Sequence, residues 1–187
     1  VITTVGNPIG VAMEQGRFEE IMKLVGEKER EFGHPIYLLV DSEYVDFISD
    51  QSKIIDPLET AQRLGREGPT IECYSISKML AYPGERMGWM KLHWEGGFAD
   101  EKEEFLAGMA NLLNPMLGGV SSSMQIALYL MLRDNLECQG SMDEFMRFMR
   151  ERRAEVNWRV NAFLREVVQI PGIVVPEYYR AEGRKLV

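Results

Sequence analysis

Cysteine and histidine are both scarce in this sequence, with two of each among 187 residues. Cys73 and Cys138 are too few for a disulfide framework, and together with His34 and His93 they form no metal-binding motif. So few cysteines favour a reducing compartment. We therefore expect a cytoplasmic protein without a bound metal.

Long apolar stretches and a surplus of basic residues are also missing. No run of about 18 apolar residues is present, and no leader with a charged and then an apolar part is visible, so we expect no membrane partner. The 21 basic residues are outnumbered by 29 acidic ones, which gives a formal net charge of -8 at pH 7. Since nucleic-acid-binding proteins ordinarily carry a basic surplus, we also expect no nucleic-acid partner.

The composition that is present is typical of a globular protein, with 45% hydrophobic and 27% charged residues. The length corresponds to one domain, or to one domain and a piece of another. The first residue is Val1 rather than methionine, and the chain opens within the apolar run Val1–Val5. We therefore expect an internal part of a longer protein, with an incomplete large domain over residues 1–140. A long connecting helix and the start of a smaller domain are expected over residues 141–187.

The hydrophobic pattern alternates between strand and helix in the first half of the chain. Short apolar runs between turn residues predict strands at Val1–Val5, Ile36–Val40, Thr70–Tyr74 and Met87–Leu92. Apolar residues at helical spacing predict helices at Glu14–Glu31, Leu58–Leu64, Phe98–Leu113, Ser122–Leu132 and Ser141–Val168. This alternation indicates an α/β fold with a mostly parallel sheet and flanking helices.

Three turn and breaker signals refine this prediction. The short Pro83-Gly84 turn predicts that the fourth strand returns antiparallel to the third. Asn114-Pro115 and Gly118-Gly119 are expected to break the helix that precedes them, and Ile173–Val175 is expected to add a short strand.

Polar residues recur where the predicted strands end, and these are the candidate site residues. They are Asn7 after the first strand, Asp41 and Tyr44 after the second, Ser75, Ser77 and Lys78 after the third, and Arg86 before the fourth. In open α/β sheets, ligands bind outside the carboxyl ends of the strands. This set of side chains suits a phosphorylated, electron-withdrawing cofactor that bonds to an amine.

Four short motifs carry a resemblance to a known family. Asn7-Pro8-Ile9-Gly10, Asp41-x-x-Tyr44, Ser75-x-Ser77-Lys78 and Arg86-x-Gly88 occur in the order and approximate spacing of the class I/II aminotransferases. That family comprises fold-type I enzymes that depend on pyridoxal 5′-phosphate. Each motif is weak alone, but the four in register resemble the family over essentially the whole chain.

The resemblance implies a role for each residue. Lys78 would form the Schiff base with pyridoxal phosphate and move the proton during catalysis. Asp41 would keep the pyridine nitrogen protonated, so that the ring withdraws electrons. Tyr44 and Asn7 would hydrogen-bond the oxygen on the ring. Ser75 and Arg86 would bind the phosphate, Arg86 through its planar bidentate donors, and Ser77 would contact the phosphate or the backbone. Lys78, Asp41 and Tyr44 are thus the expected catalytic residues.

The function implied by the resemblance is amino-group transfer between an amino acid and a 2-oxo acid by a ping-pong mechanism. Family members are usually homodimers, so a homodimer is expected here. The motifs hold the cofactor without selecting the reaction, so a carbon–sulfur lyase, a cyclising lyase or a pyridoxal-phosphate-binding regulatory module remain alternatives. A truncated chain without catalytic activity is another, and we expect the chain by itself to be inactive.

Each residue also has a plain structural alternative. Lys78 could be a solvated surface lysine. Asp41, Tyr44 and Asn7 could serve only as turn residues. Arg86 could form a surface salt bridge.

Overall fold

The computed structural model of the chain describes residues 1–6, 11–48, 50–80, 87–96, 98–117, 121–138 and 142–174. Four strands form one sheet in sequential order: β1 Ile2–Thr3, β2 Leu38–Asp41, β3 Thr70–Ser75 and β4 Gly88–His93. The first three strands are parallel, and β4 runs antiparallel to β3. The predicted α/β fold and the reversed fourth strand are therefore confirmed.

Helices follow or flank the strands. They are α1 Gln15–Phe32, α2 Pro57–Arg63, α3 Ile76–Met79, α4 Ala99–Leu117, α5 Ser122–Arg133 and α6 Asp143–Val167. Short 3₁₀ turns occur at Val45–Phe47 and Gln51–Lys53, and a π-helical turn at Asp134–Cys138. Within the described residues, none of these helices is both long and apolar enough to cross a membrane.

Helix α1 forms because its apolar residues fall on one face. Phe18 and Met22, one turn apart, are fully buried and pack in one cluster with Leu38 and Val40 of β2. Gly33 ends the helix with a φ of 69°, where its backbone N–H donates to the Glu29 carbonyl at 2.9 Å. Glycine tolerates this left-handed conformation without strain, so the chain turns directly toward β2.

A buried ion pair joins these elements at the amino ends of β2 and β3. The Arg66 guanidinium donates to Glu29 Oε1 at 2.8 Å and to the Thr70 hydroxyl at 2.5 Å, and both charged residues are at most 5% exposed. Glu29 Oε1 also accepts from the Ile36 backbone N–H at 2.9 Å. Breaking such a pair is costly because it leaves an uncompensated buried charge. The pair therefore stabilises the end of the sheet opposite to the predicted site.

The structure differs from the sequence-based predictions in three segments. Helix α4 continues through Asn114-Pro115 to Leu117, so the proline lies in the last turn of the helix and does not end it at the preceding residue. Only Ile2–Thr3 of the first predicted strand pairs with β2, and Val5 instead forms an antiparallel bridge with Ala12. Ile173 and Val174 are not in a strand, and the end of that predicted strand lies outside the described residues.

Candidate functional site

The site begins where the parallel strands end. Asp41 is the last residue of β2 and is in register with Thr3 of β1 and Cys73 of β3. Ser75 ends β3 at the same end of the sheet, two residues after Cys73. The parallel register therefore places the Asp41 and Ser75 segments side by side, as the sequence predicted for the carboxyl ends of the sheet.

The backbone of Asp41 is held from both sides. Its carbonyl oxygen accepts from the Thr4 backbone N–H at 3.1 Å and from the Thr4 hydroxyl at 3.2 Å. Its half-buried side chain accepts the Glu43 backbone N–H on Oδ1 at 3.0 Å. Among the described residues no donor reaches Oδ2, so one carboxyl oxygen remains available for a ligand.

The residues after Asp41 form a closed turn that carries Tyr44. The Val45 N–H donates to the Ser42 carbonyl at 3.2 Å, and the Phe47 N–H donates to the Tyr44 carbonyl at 3.0 Å. Val45 is buried in a cluster that the half-buried Tyr44 ring packs against. These contacts fix the Tyr44 ring beside the end of β3.

Lys78 lies on the short helix α3, directly after β3. Its neighbours Ile76 and Met79 are buried, 0% and 9% exposed, and anchor the helix in an apolar cluster. Lys78 itself is half-buried, and its Nζ lies 5.2 Å from the centroid of the Tyr44 ring, within cation–π range. The fold therefore brings together two residues that the sequence only predicted to share a site.

The two serines before Lys78 have different surroundings. The Ser75 hydroxyl accepts the Ser77 backbone N–H at 3.2 Å and so caps α3. A hydroxyl that accepts in this way still has its own proton to donate. Ser77 is 8% exposed. A phosphate contact by either serine stays a prediction, and the burial of Ser77 favours a local role for it.

Asn7 and Arg86 lie outside the described residues, but their flanking segments are described. The Met87 carbonyl, one residue after Arg86, accepts the Ile76 backbone N–H at 3.0 Å. On the other side, the Gly6 N–H donates to the Val11 carbonyl at 3.1 Å. The roles predicted for Asn7 and Arg86 stay predictions.

Gly88 of the Arg-x-Gly motif has a clear structural reason. A Cβ atom at this position would lie 2.4 Å from the Tyr74 carbonyl oxygen, a backbone atom of β3. Only glycine allows β4 to pair this closely with the strand that leads to Lys78. The glycine of the motif is therefore required by the sheet itself.

We expect Gly88→Ala to lower the free energy of unfolding by about 2 kcal/mol, because β4 must move away from β3. Gly108→Ala is the matched control, since a Cβ there meets nothing within 4 Å and alanine favours a helix interior. Thermal unfolding should show a lower Tm for the first variant and an equal or higher Tm for the second. An unchanged Tm for Gly88→Ala would contradict the close-approach argument.

Helix α6 reaches the same site from the far end of the chain. Met149 packs in the buried cluster with Ile76 and Met79, and the Arg153 guanidinium donates to the Asp46 carbonyl oxygen. Burial raises the pKa of the Asp46 carboxyl, and the nearby Arg153 opposes this shift. The sequence predicts this helix at a domain boundary and indicates its apolar stripe, but not its contact with the Tyr44 turn. A division of the chain near residue 140 stays a prediction.

Cys73 lies next to Asp41 in the register but is unsuited to nucleophilic chemistry. Burial raises the pKa of its thiol, and the carboxyl groups of Asp41, Glu72 and Glu43 raise it further. The thiol is therefore a poor nucleophile at neutral pH. Within the described residues, no group of three or more histidine, cysteine or acidic side chains could hold a metal ion.

Comparison with known proteins identifies the family. The family model of aminotransferase class I and II matches residues 1–178. A comparison with curated protein sequences finds no match.

Three solved structures illustrate the similarity of fold. An aromatic amino acids aminotransferase from Psychrobacter sp. B6 has a TM-score of 0.67 at 16% identity, covering 95% of this chain and 42% of that chain. An aromatic-amino-acid aminotransferase from Burkholderia pseudomallei, covalently bound to pyridoxal phosphate, has a TM-score of 0.64 at 14% identity, covering 95% and 41%. An alanine aminotransferase from Pyrococcus furiosus has a TM-score of 0.63 at 22% identity, covering 92% and 37%. The chain thus spans less than half the length of these structures.

Proposed function

The chain belongs to the class I and II aminotransferase family, and we propose that it forms the cofactor-binding part of a pyridoxal-phosphate-dependent transaminase. The observation that carries this proposal is the placement of Lys78 beside the Tyr44 ring, next to the strand end that presents Asp41. A cofactor with an aldehyde, a ring oxygen and a basic ring nitrogen needs an amine, a hydroxyl and a carboxylate at one site.

The residues present fit this cofactor. The Lys78 amine has no carboxyl group within 4.0 Å among the described residues, so no described ion pair competes with a ligand for it. Asp41 is half-buried and keeps one carboxyl oxygen without a described donor. Lys78 follows the end of β3, and Asp41 ends the neighbouring strand β2, so both groups lie at the carboxyl ends of adjacent parallel strands.

Each residue then has a defined task. When bound, the cofactor supplies an electron-withdrawing ring that stabilises negative charge at the substrate Cα. Lys78 would hold the cofactor through its Nζ and, once released, take a proton from the substrate Cα and return it. Asp41 would hold a proton on the ring nitrogen, and Tyr44 with Asn7 would orient the ring through its oxygen. Ser75 and Arg86 would hold the phosphate, which prevents the ring from rotating.

For the whole protein, we propose amino-group transfer between an amino acid and a 2-oxo acid by a ping-pong mechanism. We further propose a cytoplasmic homodimer, as the family resemblance and the scarcity of cysteine suggest. These proposals concern the longer protein, because this chain corresponds to between 37% and 42% of the three structures compared above.

An assay of the nitrogen product tests the proposed reaction. A polypeptide that contains this chain and has the length of its relatives should convert an amino acid to its 2-oxo acid while the cofactor retains the nitrogen. A second 2-oxo acid should then remove that nitrogen. Release of ammonia with pyruvate from a sulfur amino acid would instead indicate a lyase on the same fold and would contradict the proposal.

We expect the 187-residue chain by itself to show no measurable transaminase activity and only weak binding of pyridoxal phosphate. The loss of about 3 kcal/mol of transition-state stabilisation already slows a reaction about a hundredfold, and the chain corresponds to less than half the length of the three structures compared above. A purified chain that transaminates a common amino acid at the rate of intact family members would overturn this expectation.

A further inference from the structure

A buried polar network lies under the site, on the face of the sheet opposite to Asp41. At its centre is Glu72, in the middle of β3 and 1% exposed. Its Oε1 accepts the Ser42 hydroxyl at 2.8 Å, and Ser42 is also 1% exposed. Its Oε2 lies 3.6 Å from the Nζ of Lys91, which donates to the Tyr74 hydroxyl at 3.2 Å. None of these four side chains has a task in the function proposed above.

The position of Ser42 makes this network relevant to the site. Ser42 directly follows Asp41, and its carbonyl oxygen accepts the N–H that closes the turn carrying Tyr44. Its own backbone N–H donates to the Cys73 carbonyl at 3.0 Å, which continues the pairing of β2 with β3. Adjacent strand residues point to opposite faces of the sheet. The hydrogen bond between the Ser42 side chain and Glu72 therefore restrains the backbone next to Asp41 from the face opposite to the Asp41 side chain.

Burial strengthens the hydrogen bond between the Ser42 hydroxyl and Glu72. A buried carboxyl group that loses a partner stays unsatisfied, since water does not replace the lost donor. Glu72 is also joined to β4, because Lys91 is its register partner and the Tyr74 ring stacks on Trp89 at 5.3 Å. The network therefore ties the Asp41–Tyr44 turn to the two strands that flank Lys78.

We infer that Glu72, acting through Ser42, is a positioning residue that holds Asp41 and Tyr44 in the geometry needed to receive the cofactor. The inference rests on the proposed function for its consequence, but the restraint on the turn exists in the protein without a cofactor. The two parts are therefore measured separately.

Hydrogen–deuterium exchange of the 187-residue chain without cofactor measures the restraint. Ser42→Ala removes the hydroxyl without adding bulk, and it should speed exchange of the amides in residues 42–48 by about tenfold. Glu72→Ala removes the acceptor of the same hydrogen bond and, if the variant folds, should speed exchange of the same amides. If it does not fold, the Ser42 variant alone tests whether the hydrogen bond restrains the turn.

Thr70→Val is the matched control. Thr70 begins β3, the strand that also carries Glu72. The substitution removes a buried hydroxyl that accepts from Arg66 at the opposite end of the sheet. It should lower the Tm and leave exchange in residues 42–48 unchanged relative to global unfolding. Equal effects of Ser42→Ala and Thr70→Val on these amides, or no effect of Ser42→Ala, would overturn the inference.

Borohydride trapping of pyridoxal phosphate on Lys78, quantified by peptide mass spectrometry, measures the consequence. In a polypeptide of the relatives' length, Ser42→Ala should reduce the trapped fraction several-fold, and it should reduce it less in an Asp41→Asn background, where only the restraint on Tyr44 is left to lose. Additive losses in the two backgrounds would show that Ser42 does not act through Asp41. No trapping on Lys78 in an unmodified polypeptide of the relatives' length would contradict the proposed function, while the exchange experiment still decides whether Glu72 and Ser42 hold the turn.

Discussion

Lys78→Ala should abolish the borohydride-stable attachment of pyridoxal phosphate to the protein. The side chain is half-buried and belongs to none of the core clusters, whereas Ile76 and Met79 anchor α3, so its removal takes away the amine without disturbing the core. In a polypeptide of the relatives' length, turnover should fall by at least about a thousandfold, since covalent attachment and proton transfer at the substrate Cα are lost together. Peptide mapping of the reduced adduct and steady-state kinetics are the measurements.

Lys28→Ala is the control for this variant. Lys28 also lies over an aromatic ring, 5.8 Å from the centroid of Phe32, but it is on the outer face of α1 in an exposed ion pair with Glu31. Its replacement should leave both the adduct and the turnover intact. An adduct that maps to any lysine other than Lys78 would refute the assignment.

Asp41→Ala should reduce turnover about a hundredfold while weakening cofactor binding far less, because the carboxylate acts on the charge of the ring more than on its retention. About 3 kcal/mol of transition-state stabilisation corresponds to this change. Asp41→Asn should behave similarly, since a neutral amide does not hold the ring nitrogen protonated. Turnover is measured at saturating cofactor, and cofactor affinity by titration of the visible absorbance.

Glu43→Gln provides the comparison for the Asp41 variants. Glu43 is on the same turn and is half-buried, and only its backbone N–H, which this substitution retains, contacts Asp41. Turnover should stay near the wild-type value. Loss of cofactor binding in Asp41→Ala with near-normal turnover of the bound fraction would contradict the electron-withdrawing role.

Local residue patterns sufficed for most of the secondary structure. Phe18 and Met22 revealed α1 through their spacing, and the apolar run before Asp41 revealed β2. Such patterns act over one or two turns of chain, so one sequence contains all the information they need. The prediction was wrong in two places: α4 passes Asn114-Pro115, and strand β1 ends at Thr3 rather than at Val5.

The site could be predicted in part for the same reason. Strand ends are visible in a sequence, so the sequence predicts Asp41, Tyr44, Ser75 and Lys78 as candidate site residues. The contributions of Glu72, Ser42 and Arg153 gave no comparable signal. A glutamate in a strand and a serine in a turn become partners only when β2 and β3 pair, and Arg153 reaches Asp46 only when α6 packs on the turn.

The sequence by itself thus determined the fold class, the family resemblance and the residues that carry the proposed chemistry, because these depend on short motifs and on periodicity. Only the tertiary structure decided that the Lys78 amine faces the Tyr44 ring and that Gly88 must lack a side chain beside the Tyr74 carbonyl. It alone placed a buried carboxyl group behind Asp41. The physical reason is that distances between residues far apart in the chain are set by strand register and core packing, which no local pattern records.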